Sequence, residues 1–227
     1  MSHVVIAIDG PAGAGKSTIA KRLAARLGFI YIDTGAMYRA VALWGIRTGA
    51  DLGDMHRMEQ LAREAQIEFT PGTSTILLNG EDVSLPIRTQ EVSNAASRIA
   101  VIPGLRRAMV EKQREMGARA NVVMEGRDIG TVVFPDAAIK VFLDARPAER
   151  VRRRVEELGE KGAAPPVEAI STQMAERDQR DRGRADSPLL QAPDAVYLDT
   201  TNLSIDQVEE EILKLVRDRT ADGKDVT

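Results

Sequence analysis

An eight-residue segment near the amino terminus has the residue types and spacing of a phosphate-binding loop. The segment GPAGAGKS, residues 10 to 17, fits the pattern G-x-x-x-x-G-K-[ST]. It follows HVVIAI, whose composition predicts a buried strand, and it leads into an amphipathic helical pattern. In this context the glycines let backbone N–H groups surround a β-phosphate, Lys16 reaches the β- and γ-phosphate oxygens, and the Ser17 hydroxyl ligates magnesium. The motif therefore predicts that the chain binds a nucleoside triphosphate.

A second candidate site is an arginine-rich segment further along the chain. The sequence ERDQRDRGR, residues 176 to 184, places four arginines and three carboxylates in nine positions. One interpretation is a solvated helix face, because ion pairs four residues apart contribute only roughly 0.2–0.5 kcal/mol each. The other is a clamp for a ligand with several negative charges. Arg177, Asp181 and Arg184 are spaced four and three apart, which predicts that they share one face of a helix.

The composition limits the class of protein. The chain has 227 residues, a formal net charge of -3, no cysteine and only two histidines, neither within a motif. The length suits one α/β domain with an insertion, or two small domains. The lack of cysteine excludes disulfides and thiol nucleophiles and fits a cytoplasmic location. The acidic balance argues against a nucleic-acid partner. The sequence also lacks a signal peptide and an apolar run long enough to cross a membrane, so we expect no membrane association.

The elements that must position these residues follow an α/β pattern. Buried strands are predicted at HVVIAI, FIYID, NVVMEG, AIKVFLDA and AVYLDT. Helices are predicted at about residues 35 to 49, 147 to 159 and 204 to 219. The order strand, loop, helix, strand at the start predicts a P-loop core, with a parallel five-stranded sheet flanked by helices.

Residues 50 to 118 interrupt this pattern. Residues 66 to 87 alternate and contain Pro-Gly and Asn-Gly turn signals, which predict a small antiparallel sheet. Two helices, at about 89 to 101 and 104 to 118, follow it. We interpret residues 50 to 118 as an insertion on a core formed by residues 1 to 49 and 119 to 220, with residues 221 to 227 as a disordered tail. The insertion suggests a second substrate, because a kinase holds an acceptor as well as the triphosphate.

Signatures of other P-loop classes are missing from the sequence. A GTPase would carry Asn-Lys-x-Asp and a transport ATPase Ser-Gly-Gly, and neither is present. These absences favour a small-molecule or nucleotide kinase. The alternative from another class is a non-catalytic P-loop regulator that binds a nucleotide and a protein partner.

Six segments together resemble bacterial cytidylate kinases. They are IDGPAGAGKST, DTGAMYRA, IRTQEV, EGRDIGTVVFPDA, ERDQRDRGRADSPL and LDTTNLSIDQV, and they occur in that order up to about residue 219. The resemblance implies phosphorylation of CMP and dCMP by ATP with Mg²⁺, a monophosphate-binding insertion, and a mobile lid at about residues 160 to 190. It also implies ATP contacts along the loop, at Gly10, Pro11, Ala12, Gly13, Ala14, Gly15, Lys16, Ser17 and Thr18. We expect a monomer.

The remaining segments predict the acceptor site. Arg39 follows the second strand by one or two helical turns, and Glu125 ends a strand where P-loop proteins keep a carboxylate near magnesium. The resemblance implies CMP contacts at Thr34, Arg39, Ser97, Arg106, Arg127, Asp128, Arg177, Asp181 and Arg184. Lys16, Arg127, Arg177 and Arg184 are the predicted catalytic residues. No general base is needed, because the attacking phosphate has a second pKa of about 6 and is mostly ionised near neutral pH.

Overall fold

The computed structural model describes residues 3–160, 162 and 166–221. Residues 161 and 163–165 of the predicted lid and residues 222–227 of the predicted tail lie outside the described residues. In chain order the elements are β1 (Val5–Asp9), α1 (Lys16–Leu27), β2 (Ile30–Asp33), α2 (Thr34–Arg47), α3 (Met55–Glu64), β3 (Ile67–Phe69), β4 (Ile76–Leu78), β5 (Glu81–Asp82), a 3₁₀ turn (Pro86–Arg88), α4 (Gln90–Ile99), α5 (Pro103–Arg119), β6 (Val122–Gly126), a π-helical turn (Ile129–Val133), β7 (Ile139–Asp144), α6 (Pro147–Glu160), α7 (Val167–Arg182), β8 (Val196–Asp199) and α8 (Ile205–Ala221).

Five parallel strands form the central sheet, in the order β2-β6-β1-β7-β8, which confirms the predicted fold class. The prediction of a buried strand is wrong for β8, because it lies at the edge of the sheet, where Val196 and Tyr197 are exposed. Because the strands are parallel, their carboxyl ends meet at one edge, where α/β sheets bind ligands. Asp33 pairs in register with Glu125, and Asp9 pairs with Gly126. The sheet therefore brings three carboxylates from distant segments to the edge beside residues 10 to 17.

Helices cover both faces of the sheet. Ile6 and Ile8 of β1 pack with Leu23 of α1 and Leu213 of α8 in one hydrophobic cluster. Ala7, the residue between them, belongs to a second cluster that includes residues of α2 and α5. This division follows from the pleat, since successive side chains of a strand point to opposite faces. Within the described residues, no helix is long and apolar enough to cross a membrane.

Residues 50 to 118 contain the predicted antiparallel sheet, in which β4 lies between β3 and β5. The last helix of this segment, α5, begins at Pro103, one residue earlier than predicted, because proline suits the first helical position. Leu61 and Leu105 of the segment pack in the same cluster as Ile32 and Met37 of the α/β elements. The division into a core and an insertion stays a prediction.

Candidate active site

Glycine geometry shapes the loop between β1 and α1. Gly10, Gly13 and Gly15 have φ values of 147°, 75° and 90°, which side-chain-bearing residues rarely adopt. A Cβ atom at Gly10 would lie only 1.9 Å from the Leu143 carbonyl oxygen. The loop leads directly into α1, and no side chain of the described chain caps the first turn of this helix. Its N–H groups are therefore free to bind an anion.

Lys16 is the buried cation of this loop. Its side chain is almost inaccessible, and Nζ donates a hydrogen bond to the Pro11 carbonyl oxygen at 2.6 Å. Burial, followed by the nearby Arg127 charge, lowers the pKa of Lys16 to about 7, although the Glu125 charge acts in the opposite direction. A bound triphosphate would stabilise the ammonium form of Lys16, so Lys16 would be protonated when a triphosphate is bound.

Glu125 places a buried carboxylate at the edge of the sheet. The Tyr31 hydroxyl donates a hydrogen bond to its Oε1 atom, and the Ser17 hydroxyl also interacts with the carboxylate. Burial and then the Asp33 charge raise the pKa of Glu125. The described residues contain no group of three or more His, Cys, Asp or Glu side chains able to hold a metal ion. Ser17 and Glu125 nonetheless fit Mg²⁺, which takes oxygen ligands and is often held by only one or two protein groups plus substrate phosphates.

A pocket beside this loop brings together residues from α2, α4, α5, the turn after β6, and α7 with the turn that follows it. The lining includes all nine residues predicted to bind the acceptor: Thr34, Arg39, Ser97, Arg106, Arg127, Asp128, Arg177, Asp181 and Arg184. These residues span 151 positions of the sequence. One cavity therefore brings all nine residues together.

Three arginines dominate the part of the pocket nearest the loop. Arg39 forms an ion pair with Asp33 at 2.7 Å, and Arg127 forms one with Asp181 at 2.8 Å. Burial and then the Arg127 charge lower the pKa of Arg177 to about 10, with a further contribution from Arg39. Buried like charges repel one another, so this arrangement favours a multiply charged anion between the guanidinium groups.

The opposite part of the pocket holds polar groups with unused hydrogen-bonding capacity. Arg106 is buried, and its Nη2 atom lies 2.5 Å from Asp128 Oδ2, while Nη1 donates to the Ala100 carbonyl oxygen at 3.1 Å. The guanidinium also lies 5.7 Å from the centre of the Tyr38 ring. Arg106 Nε and Ser97 Oγ are buried without a hydrogen-bond partner among the described residues. Because buried polar groups normally have partners, a ligand is the natural source of these bonds.

Asp181 forms ion pairs with Arg127 and Arg184. The prediction that Arg177, Asp181 and Arg184 share one helix face is wrong for Arg184. The helix α7 ends at Arg182, and Arg184 follows it after Gly183. Arg184 nevertheless turns back to form an ion pair with Asp181. Burial raises the pKa of Asp181, but the Arg127, Arg184 and Arg177 charges outweigh it and give a net lowering. This carboxylate therefore stays ionised and holds the arginines in place.

Sequence reasoning missed several residues that order the site. Asp9 accepts hydrogen bonds from the N–H groups of Ile129 and Gly130, at 2.9 and 2.8 Å, and so fixes the turn that follows Asp128. Burial raises the pKa of Asp9 to about 6. Tyr38 could have been found from its spacing, since it follows Thr34 by four residues in the same helix. Asp9 contacts a residue that lies 120 positions away in the sequence, and local sequence patterns do not reveal such contacts.

A P-loop at the edge of a parallel sheet, with a separate arginine-lined pocket beside it, defines a P-loop kinase for a phosphate-bearing acceptor. The chain belongs to the cytidylate kinase family, whose model matches residues 6–218. It is 70% identical over 225 residues to a cytidylate kinase of Solibacter usitatus (strain Ellin6076), covering 98% of this chain and 96% of that protein. It is 49% identical over 222 residues to a cytidylate kinase of Citrifermentans bemidjiense, covering 97% and 95%.

The fold is also similar to a solved structure of an uncharacterized protein from Eubacterium ventriosum ATCC 27560. The TM-score is 0.55 at 12% identity, and the match covers 95% of this chain and 99% of the other. At this identity the similarity concerns the fold alone. The functional assignment therefore depends on the family and on the chemistry of the pocket.

Proposed function

We propose that the chain transfers the γ-phosphoryl group of ATP to the phosphate of CMP or dCMP, giving ADP and CDP or dCDP. The observation that carries the proposal is the position of Arg127. Its guanidinium forms an ion pair with Asp181 in the acceptor pocket, and its charge also acts on Lys16 of the phosphate-binding loop. One arginine is therefore near both the donor and the acceptor phosphates, as phosphoryl transfer requires.

On the donor side, the backbone N–H groups of residues 13 to 18 surround the β-phosphate, and Lys16 binds the β- and γ-phosphate oxygens. Ser17 and Glu125 are the residues that would hold Mg²⁺, with Glu125 acting directly or through water. The metal would supply positive charge to the β- and γ-phosphates. Tyr31 fixes the orientation of Glu125 through its hydroxyl group.

On the acceptor side, Arg39, Arg127 and Arg177 bind the CMP phosphate and align it with the γ-phosphate. The attacking oxygen needs no general base, because the second pKa of a phosphate monoester is about 6. Catalysis then consists of alignment and charge neutralisation in a site from which water is excluded. The lid carries Arg177 and Arg184 onto the phosphates when it closes.

The polar groups around Arg106 fit the hydrogen-bonding edge of cytosine. Cytosine presents a 4-amino donor and acceptors at N3 and O2. The Asp128 carboxylate and the Ser97 hydroxyl accept from the amino group, and Arg106 donates to the ring acceptors. Uracil would place O4 against the carboxylate and N3–H against the arginine, so both contacts would be lost.

A coupled assay of ADP release tests this proposal. The acceptors are CMP, dCMP, UMP, AMP, shikimate and gluconate, with a reaction that lacks an acceptor as the control. We expect turnover with CMP and dCMP far above the rate with the others. ATP binding without acceptor-dependent ADP release would instead indicate the non-catalytic regulator. We propose further that the enzyme acts as a monomer in the cytoplasm, which sedimentation and fractionation would check.

A further inference from the structure

The outer side of the phosphate-binding loop is held by an ion pair that the proposed chemistry does not use. The Ala12 N–H donates to Asp178 Oδ1 at 3.3 Å, and the Ala12 carbonyl oxygen accepts from Arg150 Nη1 at 2.9 Å. The same Arg150 nitrogen lies 2.5 Å from Asp178 Oδ2. Arg150 Nε donates to the Ala145 carbonyl oxygen at 3.0 Å, which fixes the orientation of the guanidinium. Both backbone polar groups of Ala12 are therefore tied to α6 and α7.

This contact was not expected from the sequence. The four-residue spacing predicts that Asp178 pairs with Arg182 on the surface of α7. Instead, Asp178 and Arg150 are each only 7% exposed, and Arg182 is exposed to solvent. Burying an ion pair is costly unless its hydrogen bonds are satisfied. The N–H and carbonyl groups of Ala12 supply hydrogen bonds to the pair, so the loop and the ion pair depend on each other.

The helix α7 thus contacts both halves of the site. Asp178 reaches the loop, whereas the adjacent Arg177 and the nearby Asp181 line the acceptor pocket. The loop also packs closely against α6 and α7, because a Cβ atom at Gly13 would lie 2.8 Å from both the Arg150 carbonyl oxygen and the Met174 methyl carbon. A displacement of α7 would therefore disturb its contacts with the loop.

We propose that Asp178 and Arg150 are positioning residues that couple occupation of the acceptor pocket to the geometry of the donor-phosphate loop. An acceptor phosphate draws Arg177 and α7 inward, and Asp178 transmits this movement to the backbone of Ala12. Binding of each nucleotide then favours binding of the other, since coupling between two sites is reciprocal. The inference rests on the proposed function, because it requires ATP and CMP to occupy the two sites.

The test compares the affinity of the non-hydrolysable analogue AMP-PNP, with magnesium, in the absence and presence of saturating CMP. Calorimetry gives both dissociation constants for the wild type and for Asp178→Asn. We expect CMP to tighten analogue binding at least about 5-fold in the wild type and less than about 2-fold in the variant. The affinity for CMP alone should change by less than about 2-fold, because Asp178 does not line the acceptor pocket.

Glu176→Gln is the matched control, since Glu176 is an exposed carboxylate on the same helix and its variant should keep the wild-type coupling. Should Asp178→Asn fail to fold, Arg150→Lys keeps the charge but has only one nitrogen, so it cannot bond to Ala145 through a second nitrogen while the first contacts Ala12 and Asp178. This variant should also lose coupling. Arg152→Lys, at an exposed position of α6, is its control. Equal coupling in the wild type and a folded variant would overturn the inference. Failure of the wild type to bind CMP at all would instead contradict the proposed function.

Discussion

The substitution Asp128→Asn tests how the pocket distinguishes cytosine from uracil. The amide keeps the size of the side chain, but it replaces one acceptor oxygen with an NH₂ donor. That donor opposes the 4-amino group of cytosine and can pair with O4 of uracil. A well-formed pairing with a base edge contributes about 1–3 kcal/mol of discrimination. The ratio of kcat/KM for CMP to kcat/KM for UMP should therefore fall about 5- to 150-fold, at about 1.4 kcal/mol per factor of ten.

The same substitution weakens a buried ion pair, so stability must be measured beside activity. Arg106 is 3% exposed, and Asp128 is its carboxylate partner at 2.5 Å. Complete removal of one partner from a buried pair costs about 3–5 kcal/mol, and we take this as the upper limit because the Asn oxygen can still accept a hydrogen bond. The ratio of the two substrates is unaffected by the folded fraction, since both are measured on one preparation.

Initial rates of ADP release with CMP and UMP give the ratio for the wild type, Asp128→Asn and the control Asp136→Asn. Asp136 is an exposed aspartate eight positions further along the chain, and its variant should keep the wild-type ratio. The reasoning would be refuted if Asp128→Asn remained folded and kept that ratio too. In that case, other residues would recognise the base.

Three further predictions concern the loop and the lid. At pH 8, ATP binding should be accompanied by uptake of up to about 0.9 proton, because a pKa of about 7 leaves Lys16 mostly neutral before binding. Calorimetry in buffers of different ionisation enthalpy should show this proton uptake. Equal proton uptake by the Lys16→Met variant would contradict the prediction. Arg177→Ala and Arg184→Ala should lower kcat more than they weaken ATP binding, because we propose that their contacts with the phosphates form when the lid closes; unchanged kcat in both would mean that neither arginine takes part in phosphoryl transfer. Gly10→Ala should lower the free energy of unfolding by about 3 kcal/mol or more, because its Cβ atom would collide with the β7 backbone. Denaturant titration measures this loss, Gly159→Ala serves as a control in open space, and equal stability of the two variants would show that the loop relaxes.

Local patterns were sufficient for the elements whose structure depends on neighbouring residues. The phosphate-binding loop follows from its glycine spacing, and the five strands from short apolar runs between turn signals. The end of α7 was also available from the sequence, since Gly183 is typical of a residue just beyond a helix. The predicted helix face therefore extended two residues beyond the end of α7, to Arg184.

Contacts between distant segments could not be predicted in this way. The pairing of Asp178 with Arg150 joins two helices, and the i, i+4 rule suggested a surface partner because it considers one helix at a time. Asp9 likewise bonds with residues more than 100 positions away. The nine acceptor residues were grouped by resemblance to a family, since their spacing alone does not show that five elements surround one cavity.

The most direct test of the central claim is to follow the phosphorus atoms themselves. The ³¹P NMR spectrum of ATP, CMP and magnesium with this protein distinguishes CMP, CDP, ADP and inorganic phosphate by their separate resonances. If the arginine-lined pocket holds CMP in line with the γ-phosphate, CDP should appear in step with ADP while inorganic phosphate stays at its background level. Formation of ADP and inorganic phosphate with the CMP signal unchanged would mean that water accepts the phosphoryl group, and would contradict the account.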